Sequence, residues 1–369
     1  MKKIAIIGAS YLQLPLVKKA KEMGIETHCF AWEKGAVCKD VADFFYPISI
    51  IDKELILKEC KKININGITS IASDAAVSTI CYVAQEMGLS SNNYKDALVV
   101  TNKYLMRKCF EEHKVNSPLF RIAEENIATD QFRYPLIIKP TDRSGSLGVM
   151  KIDNENELNE AVTRAKKESF SKQAIIEEYI TGSEVSVETI SWQGRHFILA
   201  ITDKVTTEKP YFVELEHHQP SKKSKYILEK VKSETSKALS ALNINYGASH
   251  AEFKITPEGE IFIIEVGARM GGDFIGSDLV QLSTGYDFLK GVIECSLGYF
   301  EEPVFKEKKY SGVYFLCEET KRLLPIIQNS SNYKEIVSAK ITDLNLRTIQ
   351  CSADRSGYFL YQGEKRFEI

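Results

Sequence analysis

Four consecutive apolar residues, Ile4–Ile7, stand behind Lys2 and Lys3 and stop at Gly8. A run that short, closed by a glycine and soon followed by Gln13, Lys18 and Lys19, predicts a buried strand rather than a secretory leader. Leu12–Met23 then shows helical spacing and ends at Gly24, a residue that caps a helix C-terminus without a Cβ clash. Glu26–Ala31 and Gly67–Ala72 read as strands, Asp52–Lys62 and Asp74–Met87 as helices, the last capped by Gly88. The alternation over residues 3–90 predicts βαβ units: a parallel sheet with helices on both faces.

The texture changes near residue 100. Thr101-Asn102-Lys103 opens an amphipathic helix, with Thr101 as the expected N-cap. Tyr134–Pro140 reads as a strand stopped by proline, and a polar, glycine-bearing loop follows at Thr141–Gly148. Glu155–Lys167 is helical and Ala174–Ile180 strand-like. Val185–Ile190 and His196–Ile201 predict a hairpin turning at Gln193-Gly194. A helix over Lys225–Leu242 precedes a second hairpin, Ala248–Ile255 with Glu260–Val266, around Pro257-Glu258-Gly259. From about residue 300 the pattern becomes a small α+β tail.

Bulk properties narrow the function classes. The 369 residues exceed one ordinary core and suit two or three packed units. A net charge of -2 supplies no field for nucleic acid or an anionic membrane, and no segment has the ~18 apolar residues of a membrane helix. The eight cysteines are scattered, without a C-x-x-C pair or neighbouring histidines, which argues against zinc and disulfides and for reduced thiols in the cytoplasm. A dinucleotide fingerprint needs glycines at 8, 10 and 13; the chain has Gly8, Ser10 and Gln13, and it has no P-loop sequence.

Chemistry concentrates in the second hairpin. Glu252 and Glu265 fall at the same level of its two strands, and Glu265 emerges from the apolar run Ile261–Ile264. A carboxylate there is costly unless paired or metal-bound, and two together suit magnesium, which completes its shell with water and phosphate. Surface salt bridges to Lys254 and Arg269 are the alternative. Arg269, just before Gly271-Gly272-Asp273, suits a phosphate oxygen or a developing oxyanion. Upstream, Lys139 ends an apolar strand and precedes Ser144-Gly145-Ser146-Leu147-Gly148, either a phosphate cradle or an ordinary loop. Gly145 and Gly148 are expected to serve loop closure rather than folding. Glu177-Glu178-Tyr179-Ile180 with Glu184 offers an adenine edge and a ribose partner, or an exposed acidic strand end.

The order Lys103, Lys139, Ser144–Gly148, Glu177–Ile180 with Glu184, Glu252, then Glu265-x-x-x-Arg269 resembles the ATP-grasp superfamily, and within it the carboxylate–amine ligases. The likeness covers roughly residues 1–295. It implies an α/β chain with a Rossmann-like pre-ATP-grasp domain at 1–95, a two-lobed α+β ATP-grasp fold at 96–295 and a small C-terminal subdomain at 296–369. It implies ATP and magnesium, with manganese as the alternative ion. Lys103 and Lys139 match phosphate-contacting positions, Ser144, Gly145, Ser146 and Gly148 the closing loop, and Glu177, Glu178, Tyr179 and Ile180 the adenine hinge. Glu184 matches the ribose partner, Glu252 and Glu265 the metal ligands, and Arg269 the catalytic arginine. One departure stands out: many grasp enzymes have an asparagine ligand where this chain has Gly267, which leaves one or two metals open.

A second likeness, over Lys204, Thr206, Glu214 and His218, resembles an acceptor-pocket stretch of dipeptide-forming ligases; a polar surface loop is the alternative for His218. The implied reaction activates a small-molecule carboxylate as an acyl phosphate and joins it to an amine, with Arg269, Lys139 and His218 as catalytic candidates. A homodimer is compatible with the family. Competing readings are a purine-pathway, carbamate or bicarbonate enzyme and a non-catalytic nucleotide-binding regulator on the same fold.

Overall fold

The computed structural model describes residues 1–124, 132–207 and 212–369. Its first sheet is parallel, in the order β3-β2-β1-β4, from β1 (Lys3–Ile7), β2 (Glu26–Phe30), β3 (Phe44–Tyr46) and β4 (Gly67–Thr69). Helices α1 (Leu14–Glu22), α2 (Lys53–Ile63) and α3 (Asp74–Met87) connect and follow these strands. Strand β1 is buried from Ile4 to Ile7, as its uninterrupted apolar run requires in a sheet covered on both faces. The turn after it is filled by Gln13, whose Nε2 donates to Ile71 O at 2.7 Å. Its Oε1 accepts from Ser10 N and Oγ at 3.1 and 2.8 Å. Gln13 thus occupies the crevice that a dinucleotide fold leaves to its ligand.

Helices α4 (Tyr94–Val100) and α5 (Lys103–Glu112) lead out of this unit. The cap of α5 differs from expectation by one residue. Asn102, not Thr101, caps it, its side chain accepting from Tyr104 N and Leu105 N at 3.0 and 3.1 Å. Asn102 holds the extended φ of -123° that a cap needs, whereas Thr101 turns its hydroxyl back onto Ala97 O and ends α4.

A second sheet, in the order β5-β8-β6-β7, is built from β5 (Phe120–Ile122), β6 (Leu136–Pro140), β7 (Met150–Ile152) and β8 (Ala174–Glu178), with α6 (Leu158–Glu168) packed on it. Its core draws only on residues between Ala123 and Ile176. The third sheet has the order β13-β12-β9-β10-β11-β14-β16-β15. Its first half holds β9 (Ser183–Trp192), β10 (Arg195–Thr206), β11 (Glu214–Gln219), β12 (Gly247–Ile255) and β13 (Ile261–Gly267), with α7 (Lys225–Ala241) against one face. The tail supplies β14 (Tyr310–Leu316), β15 (Ile336–Ile341) and β16 (Gly357–Gly363), and β14 pairs antiparallel with β11, so one sheet runs without a break into the C-terminal residues.

The mixed α/β architecture is the one the sequence pattern predicts. The two expected hairpins form, the first with Gln193 and Gly194 at φ 50° and 77°, the left-handed pair that a two-residue turn demands. The first unit and the large sheet are welded together. One core joins Ile4, Ile6, Leu16 and Val17 to Ile190, Phe288, Val292 and Ile293. Each such side chain contributes about 1.5–3 kcal/mol when fully buried. All eight cysteines are unpaired, and no helix among the described residues is long and apolar enough to cross a membrane.

Candidate active site

The loop 141–148, the end of β8, and strands β9 to β13 face one another across a cavity of 160 Å³. Lys103, Lys139, Ser144, Gly145, Ser146, Glu177, Glu178, Tyr179, Ile180, Glu184, Glu252 and Glu265 all line it. Gly148, Arg269 and His218 do not.

Glu252 and Glu265 are direct cross-strand partners in the β12–β13 register. Such partners point to one face with Cβ atoms about 5 Å apart, and two like charges so placed repel. Each is flanked by a lysine. Lys103 Nζ reaches Glu265 Oε1 at 2.8 Å and Lys204 Nζ reaches Glu252 Oε1 at 2.6 Å. Lys204 also meets Glu184 at 3.0 Å and Glu214 at 3.4 Å, one cation among three carboxylates. Burial opposes the charge on Glu252, yet Lys204 and His250 outweigh it and hold the carboxyl well below the usual range. Burial likewise opposes the charge on Lys204, and its three acidic neighbours raise it well above the ordinary lysine value. No cluster of three or more His, Cys, Asp or Glu among the described residues has metal-holding geometry. A cation placed between Glu252 and Glu265 would have two protein carboxylates and would need phosphate and water for its other ligands, a donor set that fits magnesium.

Lys139 and Glu177 belong to a second buried group that sequence reasoning missed in part. Glu177 is 2% exposed and Arg107 0%. Lys139 Nζ lies 2.6 Å from Glu177 Oε2, and Arg107 Nε lies 2.9 Å from Oε1, although its N–H is not aimed at that oxygen. Burial works against the charge on Glu177, but the two cations keep its pKa lowered; burial, with Arg107 and Lys103, also lowers Lys139 against the pull of Glu177. Glu177 is thus the counter-ion that keeps Lys139 at the cavity. At the hinge, the N–H groups of Glu178 and Tyr179 donate inside the protein, to Leu119 O at 2.9 Å and Pro135 O at 3.2 Å.

The 141–148 loop is pinned at both ends. Asp142 accepts from Phe170 N and Ser171 N at 3.1 and 2.7 Å. Gly148 sits at φ 76°, and a Cβ there would stand 2.9 Å from Pro140 Cγ and 3.1 Å from Glu168 Cβ. Gly148 is therefore packed, contrary to a role in closure alone, whereas Gly145 has open space around its missing Cβ. Gly148→Val should cost about 1–3 kcal/mol, from overpacking added to a backbone region β-branched residues avoid. Gly145→Ala should cost about 1 kcal/mol or less, strain without a clash. Thermal unfolding of the two variants checks this; equal shifts would mean that position 148 is as free as 145.

His218 lies outside both this cavity and its neighbour. Successive strand residues face opposite sides, and on β11 it is His217 that turns toward Asp273 and Phe315. His218 is 2% exposed, with Nδ1 2.9 Å from Tyr361 Oη and Nε2 3.0 Å from Glu216 Oε2. It packs between Tyr314 and Tyr361 and acts in the core. Neither a surface loop nor an acceptor-pocket wall describes it.

Three further residues escaped the sequence. Glu188 is fully buried, accepts from Gly271 N at 3.0 Å and bonds His250 Nδ1; His250 Nε2 meets Glu252 Oε1 at 3.2 Å. Although burial opposes it, Glu188 and Glu252 raise His250 to about 9, so it is charged at neutral pH. The period-2 spacing of His250 and Glu252 was the available signal. The third residue is Asp74, which grips Arg269.

A family model described as ATP-grasp domain matches residues 132–278, the stretch from β6 through β13. Residues 132–278 are similar to the ATP-grasp domain. Alanine–anticapsin ligase of Bacillus subtilis (strain 168) is 26% identical over 289 residues, covering 66% of this chain and 61% of that protein. The chain thus matches less than two thirds of the length of that curated relative. A likeness of fold extends beyond the matched stretch. The L-amino acid ligase from Bacillus licheniformis superposes with a TM-score of 0.82 at 20% identity, over 99% of this chain and 94% of that one. N5-carboxyaminoimidazole synthetase from Staphylococcus aureus, crystallised with ADP, gives 0.79 at 16% identity, over 99% and 94%.

Proposed function

We propose that this protein is an ATP-dependent carboxylate–amine ligase that works through an acyl phosphate and releases ADP and phosphate. The observation that carries the reading is the in-register pair Glu252 and Glu265, set in the wall of a cavity that also gathers Lys103, Lys139 and the Ser144–Ser146 loop. Two opposed carboxylates beside two lysines are what a metal–triphosphate needs and what an apolar binding pocket avoids. The Bacillus relatives named as amino-acid ligases favour amino acids as substrates.

In this reading Glu252 and Glu265 hold magnesium, or manganese, which neutralises charge on the triphosphate when bound. Lys103 and Lys139 contact phosphate oxygens. Glu184 accepts from the ribose, and residues Glu178 to Ile180 border the adenine. A substrate carboxylate oxygen attacks the γ-phosphorus, the bond to the β-phosphate oxygen breaks, and ADP leaves. The amine nitrogen then attacks the acyl carbon and phosphate departs. Arg269 offsets the oxyanion of that step.

The carboxylate substrate has a candidate seat. A second cavity, of 630 Å³, is walled by Gly271–Asp273, Leu12, Leu14, Phe274, Phe315 and Tyr358. Arg355 ties the two cavities, reaching Asp273 Oδ2 at 2.7 Å and Glu214 O at 2.9 Å while lying 3.8 Å over the Phe315 ring. Its buried Nε has no hydrogen-bond partner among the described residues. The wall also carries Asp273, already paired with Arg355, and Lys340, so a carboxylate on an apolar body would meet the free Nε of Arg355 and the ammonium of Lys340 among apolar side chains. Screening ATP against L-amino acids, singly and in pairs, tests the whole reading. ADP and phosphate are the expected products; AMP and pyrophosphate would refute the acyl phosphate, and release driven by bicarbonate alone would move the protein to the carboxylase-like reading.

A further inference from the structure

Gly267 closes β13, and it is not among the glycines held at positive φ, so backbone conformation does not require glycine there. Space requires it. A Cβ at 267 would stand 2.8 Å from Asp74 Oδ1, 3.0 Å from Arg269 Nε and 3.1 Å from Arg269 Cζ. These atoms belong to one clamp. Arg269 donates Nε to Asp74 Oδ1 at 2.8 Å and Nη2 to Asp74 Oδ2 at 3.0 Å. Two parallel bonds fix the plane of a guanidinium as well as its place. Asp74 is the first residue of α3, so the clamp reaches from the first unit to the large sheet, and Ala72 N donates to Met270 O at 3.2 Å beside it. A helix N-terminus favours the ionised carboxylate.

The fork is only partly used. Nη1 reaches Met270 O at 3.4 Å, a weak contact. We propose that Asp74 is the positioning residue for Arg269: its two parallel bonds fix the plane and place of the guanidinium and leave Nη1 as the arm free for the reacting groups, and position 267 is glycine because the clamp fills its side-chain volume. The inference rests on Arg269 meeting the reacting groups, as in the ligase reading. The side chains of Asp74 and Arg269 are 21% and 18% exposed, so this is no free surface pair.

The test uses the full chain and the variants Asp74→Asn, Asp74→Ala, Gly267→Ala and the Asp74→Ala/Gly267→Ala double. One arm needs no turnover: hydrogen exchange of the Arg269 Nε–H in protein carrying ¹⁵N-labelled arginine, assigned by its loss in Arg269→Lys. That proton should exchange slowly in wild type and at least about tenfold faster in Asp74→Asn and Gly267→Ala. The other arm is ADP release with the most active amino-acid pair of the screen above. Each of the three single variants should lower kcat about tenfold while KM for ATP stays within about twofold. Gly267→Ala should cost less than about twofold more once Asp74 is alanine, because the two sites share one volume. An unprotected Nε–H in wild type, an equal cost of Gly267→Ala in both backgrounds, or a lowered unfolding temperature with unchanged kcat would each overturn the inference. If no amino acid gives turnover, the ligase reading fails and the exchange arm alone decides the clamp.

Discussion

Glu265→Gln is expected to fold, to retain adenosine affinity, and to lose ATP turnover by about a hundredfold or more, some ~3 kcal/mol of transition-state stabilisation. The amide keeps the shape and hydrogen-bonding capacity of the carboxylate and removes the charge that a cation needs. Glu265 sits across the strand pair from Glu252, so its loss leaves one carboxylate where two faced each other. Lys103 loses its anion but keeps the carbonyl of Arg143 at 2.7 Å, so it stays at the cavity and the local structure holds. The adenosine contacts proposed at Glu178–Ile180 lie elsewhere in the cavity wall and should be untouched. If the defect is metal affinity, raising magnesium recovers part of the lost rate. The measurement is turnover against magnesium for wild type and variant; superimposable curves would remove Glu265 from the metal site.

The second large effect falls on stability. Glu177→Ala strips the counter-ion from Arg107 and Lys139, 0% and 5% exposed, and should cost about 3–5 kcal/mol, because two like charges then remain buried without an anion. The loss is one of desolvation, and this separates it from loss of a contact. Replacing all three residues together, as Arg107→Met, Lys139→Met and Glu177→Leu, should regain most of that stability while abolishing turnover, since Lys139 is at the cavity. Urea denaturation midpoints of the single and triple variants decide it. A triple variant no more stable than Glu177→Ala would show that the group holds the fold through its specific contacts.

What the sequence made legible was local. Asp74–Met87 reads as a helix to the residue because its apolar stripe ends at Gly88, which takes φ 66°. The β12–β13 hairpin is readable because apolar alternation and a Pro-Glu-Gly turn agree, and it brings Glu252 to Glu265 without help from the rest of the chain. What stayed hidden depends on distant partners. Asp74 finds Arg269 and Arg107 finds Glu177 only after folding. Strand β11 carries Glu-Leu-Glu-His-His-Gln, which no hydrophobic pattern marks as the inside of an eight-stranded sheet. It is stable there because its polar groups find partners: Gln219 bonds Thr202 and Ser283, and His218 bonds Tyr361. With the strand unrecognised, its parity is unreadable too, and nothing in the pattern separates His217, which meets Asp273, from His218, which meets Tyr361.

The separate core of the β5–β8 lobe has a consequence for catalytic timing. The first unit and the large sheet share packed side chains, so parting them would break a common core. Among the described residues the core of the lobe takes no side chain from the large sheet; the lobe is linked to it by the chain between Glu178 and Ser183 and by α5, whose Arg107 meets Glu177 and whose Lys103 N donates to Thr141 O. There Gly182 runs so close to Ile255 O that a Cβ would lie 2.1 Å from it, which fixes one end of the linkage as an axle. A swing about that axle would carry Lys139 and the Ser144–Ser146 loop relative to Glu252 and Glu265, and it would have to part Glu177 from Arg107 and the Arg143 carbonyl from Lys103. On the proposed ligase reading, nucleotide entry and product escape would then share one coordinate whose barrier includes those buried contacts, which sets opening beside bond making as a stage that limits turnover.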